Sequence, residues 1–424
     1  MIFGALVALQ AASPLLLRTA IGDLTPPGAL PLGGYTARGG RLSKPGGDRL
    51  FVRVAVLEQD KTRLAIASCE LLTVPESLVR EVRSRLPNGV ELFLCATHTH
   101  CAPDSQMLNE RMTFPVPGIS TYRPAMLTWY ADAVASAIRR GLEATPAELR
   151  RVSVAAASLP LNRGRRPGAK PDPTGYLVEG LTADGATVPI FACYAAHAVF
   201  YGPEEMHTRG DWPGALARCI GAPVLMGALG DVSPAAPGAT PRERVDNFVG
   251  RFLTGIAGAP RRIAWVSEQG NQFPDAAVHL LVGRSHVALD TVSPHPTFAR
   301  VYGTTDRLAS TIIEAFAPNE AYLSAFRLGR LEFVGVPGEP SSGLGDAIRT
   351  GLRPTLEQAT VLVASHVNGW MGYLLSPQDY DRGGYEATLS FYGRLEGERI
   401  VYTATRGFWA IFVSFLTWDP SDSP

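Results

Sequence analysis

Hydrophobic positions along this chain recur at two spacings, every second residue and every third or fourth, and the two patterns alternate. Residues 49–59 (RLFVRVAVLEQ) and 62–72 (TRLAIASCELL) flank a polar turn at Asp60 and Lys61, which predicts two strands. Residues 77–86 (SLVREVRSRL) switch to apolar positions three to four apart, the mark of an amphipathic helix. Val90 to Ala96 returns to strand. A long helix is expected over 125–144, with Leu127, Tyr130, Val134 and Ile138 along one stripe. A strand is expected near 150–160, and 175–181 with 186–200 form a hairpin-like pair across TADG. Residues 222–238 read as an apolar run ending in a turn, and 321–352 as strand, turn and helix. The segment from Cys101 to Pro124, rich in Pro, Gly and Ser, is the kind of long loop that is functional or disordered. The alternation predicts an α/β protein, mixed β-sheets layered with helices as a multilayer sandwich. No linker of disordered composition divides it, so one large domain is expected.

Charge narrows the function. The 424 residues carry 39 basic and 39 acidic side chains. A balanced chain without basic blocks excludes non-specific nucleic-acid binding, which needs a positive surface. Five cysteines, Cys69, Cys95, Cys101, Cys193 and Cys219, form an odd set without CxxC spacing, against both a disulfide framework and a cysteine zinc knuckle. The start, MIFGALVALQAASPLLL, is too interrupted for a membrane span and reads as a weak signal or N-terminal extension over residues 1–17. A secreted or periplasmic location is the corresponding expectation. The apolar run Phe408–Trp418 is too short to cross a bilayer, so a buried terminal element is expected, with peripheral membrane contact as the weaker reading.

Four apolar runs end in a polar group followed by a loop: His98 with His100, then His197, Ser233 and Glu339. Strand ends are where sheet-based folds collect catalytic residues. On a continuing strand His98 and His100 would point the same way. A hydrolytic zinc site needs about three protein ligands of imidazole or carboxylate type and a place for water. Two histidines and a glutamate from separate strands meet that need, although spacing does not show that they converge. Ser233 in GDVSP reads equally as a nucleophile requiring a base or as part of a capped turn. His207, His279, His286, His295 and His366 carry no motif and read as structural or surface residues.

The segments THTHCAP, NRG, YAAHAVF, GDVSP, VPGEP and NGWMGYLLSPQDYDRGGYEA, in this order, resemble the neutral ceramidase family, as does AIGDLTPPGALPLGGY near the start. The resemblance runs in patches from about Ile21 to Tyr392 and implies a zinc-dependent amidase that splits ceramide or a related N-acyl lipid by metal-activated water. By resemblance, His98, His197, Glu339 and Tyr373 would hold one zinc ion. His100, Arg163 and Tyr385 would line the catalytic site, and Ser233 would be a polar contact there. Residues 18–424 would be the catalytic domain, without the C-terminal immunoglobulin-like domain of longer members. The partners implied are a lipid or small amide substrate, with no obligate protein partner. The chain departs from the family in Cys101 after THTH, Ala235 after GDVSP, and NRG in place of NRSP, which bears on the substrate more than on the metal set. Two other readings remain: a non-ceramide amide hydrolase using Ser233 as nucleophile, and a non-catalytic lipid-binding relative. Amidohydrolase barrels and metallo-β-lactamase-like folds also place HTH at strand ends, but HTHCAPD lacks the HxHxDH pattern.

Overall fold

The computed structural model describes residues 13–267, 279–352 and 359–416. Its strands are β1 (Leu15–Asp23), β2 (Phe51–Gln59), β3 (Thr62–Cys69), β4 (Val90–Ala96), β5 (Ala147–Ser158), β6 (Asn162–Gly164), β7 (Thr174–Thr182), β8 (Thr187–Tyr194) and β9 (Val224–Met226). There follow β10 (Val232–Pro234), β11 (Arg261–Val266), β12 (Leu280–Val287), β13 (Ala321–Leu328), β14 (Leu331–Gly335), β15 (Glu339–Pro340), β16 (Thr360–Ala364) and β17 (Tyr373–Leu374). A nine-stranded mixed sheet runs β4-β3-β2-β1-β5-β7-β8-β9, with β11 also on β5, and a four-stranded sheet runs β12-β13-β14-β16.

Period-two alternation sorts the side chains into layers. Along β2, Ala55 and Leu57 join Phe93, Phe191, Phe326 and Phe333 in the core between the two sheets. Val52, Val54 and Val56, on the other face, pack against helices α1 (Glu76–Arg83) and α2 (Pro124–Glu143). The other part of the large sheet is covered by α3 (Asp211–Ile220) and α4 (Pro241–Ala257) through Tyr194, Trp212, Phe248 and Phe252. The outer face of the small sheet is covered by helices Asp306–Phe316, Ser342–Leu352 and Glu396–Leu416. The result is a helix–sheet–sheet–helix sandwich forming a single domain, which is the architecture expected from the sequence.

Three details differ from expectation. Leu15 and Leu17 lie in β1 and in the inter-sheet core, so the packed domain extends into the segment read as a leader, whose residues 1–12 lie outside the described ones. The 101–124 segment is neither open nor loose. Asp104 accepts hydrogen bonds from the backbone of Gln106 and Ser120, and Met107, Leu108 and Met112 are buried. GDVSP is a turn only at Gly230 and Asp231; Val232–Pro234 continue as β10, which pairs with β6 and sets Ser233 opposite Arg163. Of the run Phe408–Trp418, residues up to Leu416 continue the last helix, and the side chains of the whole run lie outside the described ones. Among the described residues, no helix is long and apolar enough to cross a membrane. The five cysteines are free, and all but Cys219 are buried.

Glu332 on β14 is fully buried, with Arg327 Nε 3.8 Å from its carboxylate. Burial pushes its carboxyl from the ordinary 4.5 up to about 7. The folded state therefore favours the protonated form. The stability tied to it is complete below about pH 4.5 and is lost as pH rises through about 7. Glu332→Gln is expected to raise stability at pH 8 by roughly 2–3 kcal/mol and to change little at pH 4. Thermal melts of both proteins across that range check this.

Candidate metal centre

Backbone geometry at the strand ends gathers the ionisable side chains. β4 stops at Ala96, and His98 takes a left-handed conformation (φ 57°), so the two histidines meet through a bend rather than through strand alternation. Their Nε2 atoms are 3.3 Å apart with the rings edge to face. A bridge between Thr99 and Ala198 lays the His98 segment alongside the one carrying His197, which follows β8. From the opposite side, β15 and β17 pair in parallel with Glu339 directly facing Tyr373. The four side chains expected to bind metal, His98, His197, Glu339 and Tyr373, are thus brought together, and all are buried.

Their hydrogen bonds fix the protons. His98 Nδ1 is 2.9 Å from the Leu72 carbonyl, and His197 Nδ1 is 2.9 Å from that of Val232. A carbonyl only accepts, so both Nδ1 atoms carry the proton and both Nε2 atoms present lone pairs. Those lone pairs face Glu339 Oε2, at 3.6 Å from His98 and 3.2 Å from His197. The other carboxylate oxygen accepts from Trp370 Nε1 at 2.8 Å. Tyr373 Oη completes the group, 3.3 Å from His197 Nε2. Burial drives the imidazoles of His98 and His100 below their ordinary value and that of His197 down to about 3, so they are neutral at pH 7. Burial opposes ionisation of Glu339 as well, and positive charge brought to its His98, His197 and His366 side is what lowers its carboxyl well below the usual range. Burial, reinforced by Glu339, pushes the Tyr373 phenol well up.

A carboxylate oxygen turned toward two imidazole lone pairs is repulsive unless a cation sits among them. Two ligand atoms each about 2.0–2.1 Å from a tetrahedral zinc stand roughly 3.3–3.4 Å apart. The separations of 3.2, 3.3 and 3.6 Å bracket that value. The residues present therefore fit a divalent ion with nitrogen and oxygen ligands.

The remaining expected site residues divide. His100 Nε2 faces the cluster, and its ring packs against Tyr35 and under Gly34, whose bare Cα leaves room for it. Tyr385 stands at the rim, 54% exposed, its ring 5.9 Å from that of Tyr373. Ser233 is buried and accepts from Arg165 Nε at 2.8 Å. Arg163 is exposed and lines an outer cleft with Arg244 and Arg251. The arginine that enters the cluster is Arg165, whose Nη1 lies 3.2 Å from His197 Nε2. Its backbone N–H donates to the Asp231 carbonyl, which turns the side chain inward. Neither Arg165 nor His366 was expected. His366 is fully buried and stacks on His98 at 4.2 Å between centroids. The one signal for it was that VLVASH, like the other runs, ends in an imidazole.

No family model matches the sequence. A segment of 86 residues is 29% identical to a neutral ceramidase of Mycobacterium tuberculosis, covering 20% of this chain and 14% of that protein. The fold is similar to the crystal structure of neutral ceramidase from Pseudomonas aeruginosa, with a TM-score of 0.73, 16% identity, and coverage of 95% of this chain and 74% of that one. It is also similar to a ceramidase complexed with C2, at a TM-score of 0.76 and 15% identity, covering 97% and 76%. The fold is shared along nearly the whole chain.

Proposed function

We propose that the chain is a metal-dependent amidase that hydrolyses the N-acyl bond of ceramide or a related N-acyl lipid, with zinc as the ion. The observation that carries this reading is the facing of Glu339 Oε2 and the His98 and His197 lone pairs at ligand spacing. A fold shared with ceramidases supports the amide class. Bound by His98, His197, Glu339 and Tyr373, a divalent ion supplies Lewis acidity and an acidified water.

The protein's own groups supply the rest of what amide cleavage demands. An amide carbonyl gathers negative charge on oxygen when attacked, and Arg165 brings a fixed positive charge to that space. Amide nitrogen leaves only when protonated. His100, neutral with Nε2 aimed into the cluster, is placed to carry a proton between attacking water and departing amine. Tyr385 Oη at the rim is placed to hydrogen-bond the substrate. Ser233 is a weaker nucleophile candidate, because among the described residues its hydroxyl bonds to Arg165 and shows no contact with a base. An exported location and transient contact with a lipid surface suit such a substrate and belong to the same proposal.

Metal analysis of the purified protein is expected to give about one zinc per chain. Hydrolysis of a fluorescent N-acyl lipid panel should stop on chelation and return with zinc. Unchanged turnover by metal-free protein, or loss of activity through labelling with a serine-directed probe, would overturn the reading.

A further inference from the structure

His366 has no place in the four-ligand set, yet its surroundings are costly for an idle side chain. Its ring is 0% exposed, and neither ring nitrogen has a hydrogen-bond partner. A neutral imidazole carries one N–H and one lone pair, and leaving a buried group of this kind unpaired forfeits its hydration with nothing in return. Its backbone is left-handed as well, at φ 56°. Such a conformation is strained for a non-glycine residue and persists only where the surroundings impose it. Here they do. The His366 N–H donates to the Gly338 carbonyl, and its own carbonyl accepts from Ala96 N–H. One residue on, Val367 N–H donates to Val336 O, and the Asn368 side chain bonds to the backbone of Leu92 and Leu94. These bonds wedge the ring between the turn carrying Glu339 and the bend carrying His98. A ring nitrogen of His366, one of His98 and a carboxylate oxygen of Glu339 all lie within 4.8 Å of one another.

If His366 served only to support the His98 ring by stacking, a phenylalanine or leucine would do so without burying two unpaired nitrogens. We propose that His366 is a further ligand of the metal centre, so that this chain offers its divalent ion three imidazoles instead of two. The inference rests on the metal-centre reading above and deepens it. With a fifth protein ligand available, the loss of Tyr373, a neutral phenol, weakens binding less than the loss of His366. The site also accommodates ions that prefer five ligands to four.

The test is His366→Phe, which keeps a stacking ring and removes both nitrogens. Full-length wild type and variant, stripped with chelator, are titrated with Zn2+ and Co2+ against a chromophoric competitor. Binding is expected to weaken by more than about 100-fold in the variant, beyond the roughly 10–100-fold that loss of a group merely supporting a ligand costs. The visible bands of the Co2+ protein should intensify as the coordination number falls, while the apoprotein melts no lower than wild type. Identical affinity and an identical Co2+ spectrum in the variant would overturn the proposal and leave His366 a packing residue. Wild type that binds no ion at all would instead defeat the metal-centre reading itself. Should the phenylalanine protein fail to fold, His366→Leu goes through the same titration with the same two outcomes.

Discussion

Replacing His98 with alanine is expected to yield a folded protein that holds no zinc and has lost at least about a thousandfold in kcat/KM toward N-acyl lipids. His98 Nε2 is one of the two lone pairs opposite Glu339, 3.6 Å from its Oε2, and alanine offers no donor in its place. The change removes a buried ring stacked on His366 and a single hydrogen bond to the Leu72 carbonyl. Circular dichroism and melting should therefore change modestly compared with the catalytic loss. His100→Ala is the informative partner. It should retain the ion and lose kcat, because His100 is placed to move protons rather than to complete the metal set. Zinc content measured beside the rates separates the two effects; a His98→Ala protein that still turned over substrate would contradict the assignment.

Arg165→Ala is expected to lower kcat by about 10²–10³-fold with a smaller change in KM, the loss typical when a single group that stabilises an oxyanion is removed. Arg163→Ala should stay within a few-fold of wild type. Both residues lie in one basic stretch, so any general effect of lost positive charge would appear equally in the pair. Their positions differ: Arg165 donates to Ser233 Oγ at 2.8 Å and reaches His197, whereas Arg163 faces an outer cleft. Arg165→Lys should recover part of the loss, since it restores the charge without the forked geometry. Steady-state rates on one neutral N-acyl lipid for the three variants decide the matter, and equal losses for Arg163 and Arg165 would sink the assignment.

The contrast between these arginines shows where reading the sequence alone ran out. Layering was legible because β2 alternates cleanly, with Val52, Val54 and Val56 on one face and Ala55 and Leu57 on the other. His98, His197 and Glu339 were legible because each ends an apolar run. The choice among Arg163, Arg165 and Arg166 was not, since it depends on one hydrogen bond from Arg165 N to Asp231 O, 66 residues along the chain. A three-residue strand has no period to read. His366 was hidden for a similar reason: its orientation follows from a left-handed backbone imposed by Gly338, Ala96 and Asn368, none of which its own neighbours in the sequence announce. Tyr373 was found through resemblance, and its register opposite Glu339 explains why those two segments occur together.

The ligands hang from both halves of the sandwich, His98 and His197 from the nine-stranded sheet and Glu339 from the turn leaving the four-stranded one. A bound ion would thus act as a rivet through the two walls at one edge. Neither sheet could peel away without surrendering it. Heat resistance would then climb with free zinc, by about 4 kcal/mol at a thousand times the dissociation constant. A protein working in a metal-poor medium would be limited by endurance as much as by turnover.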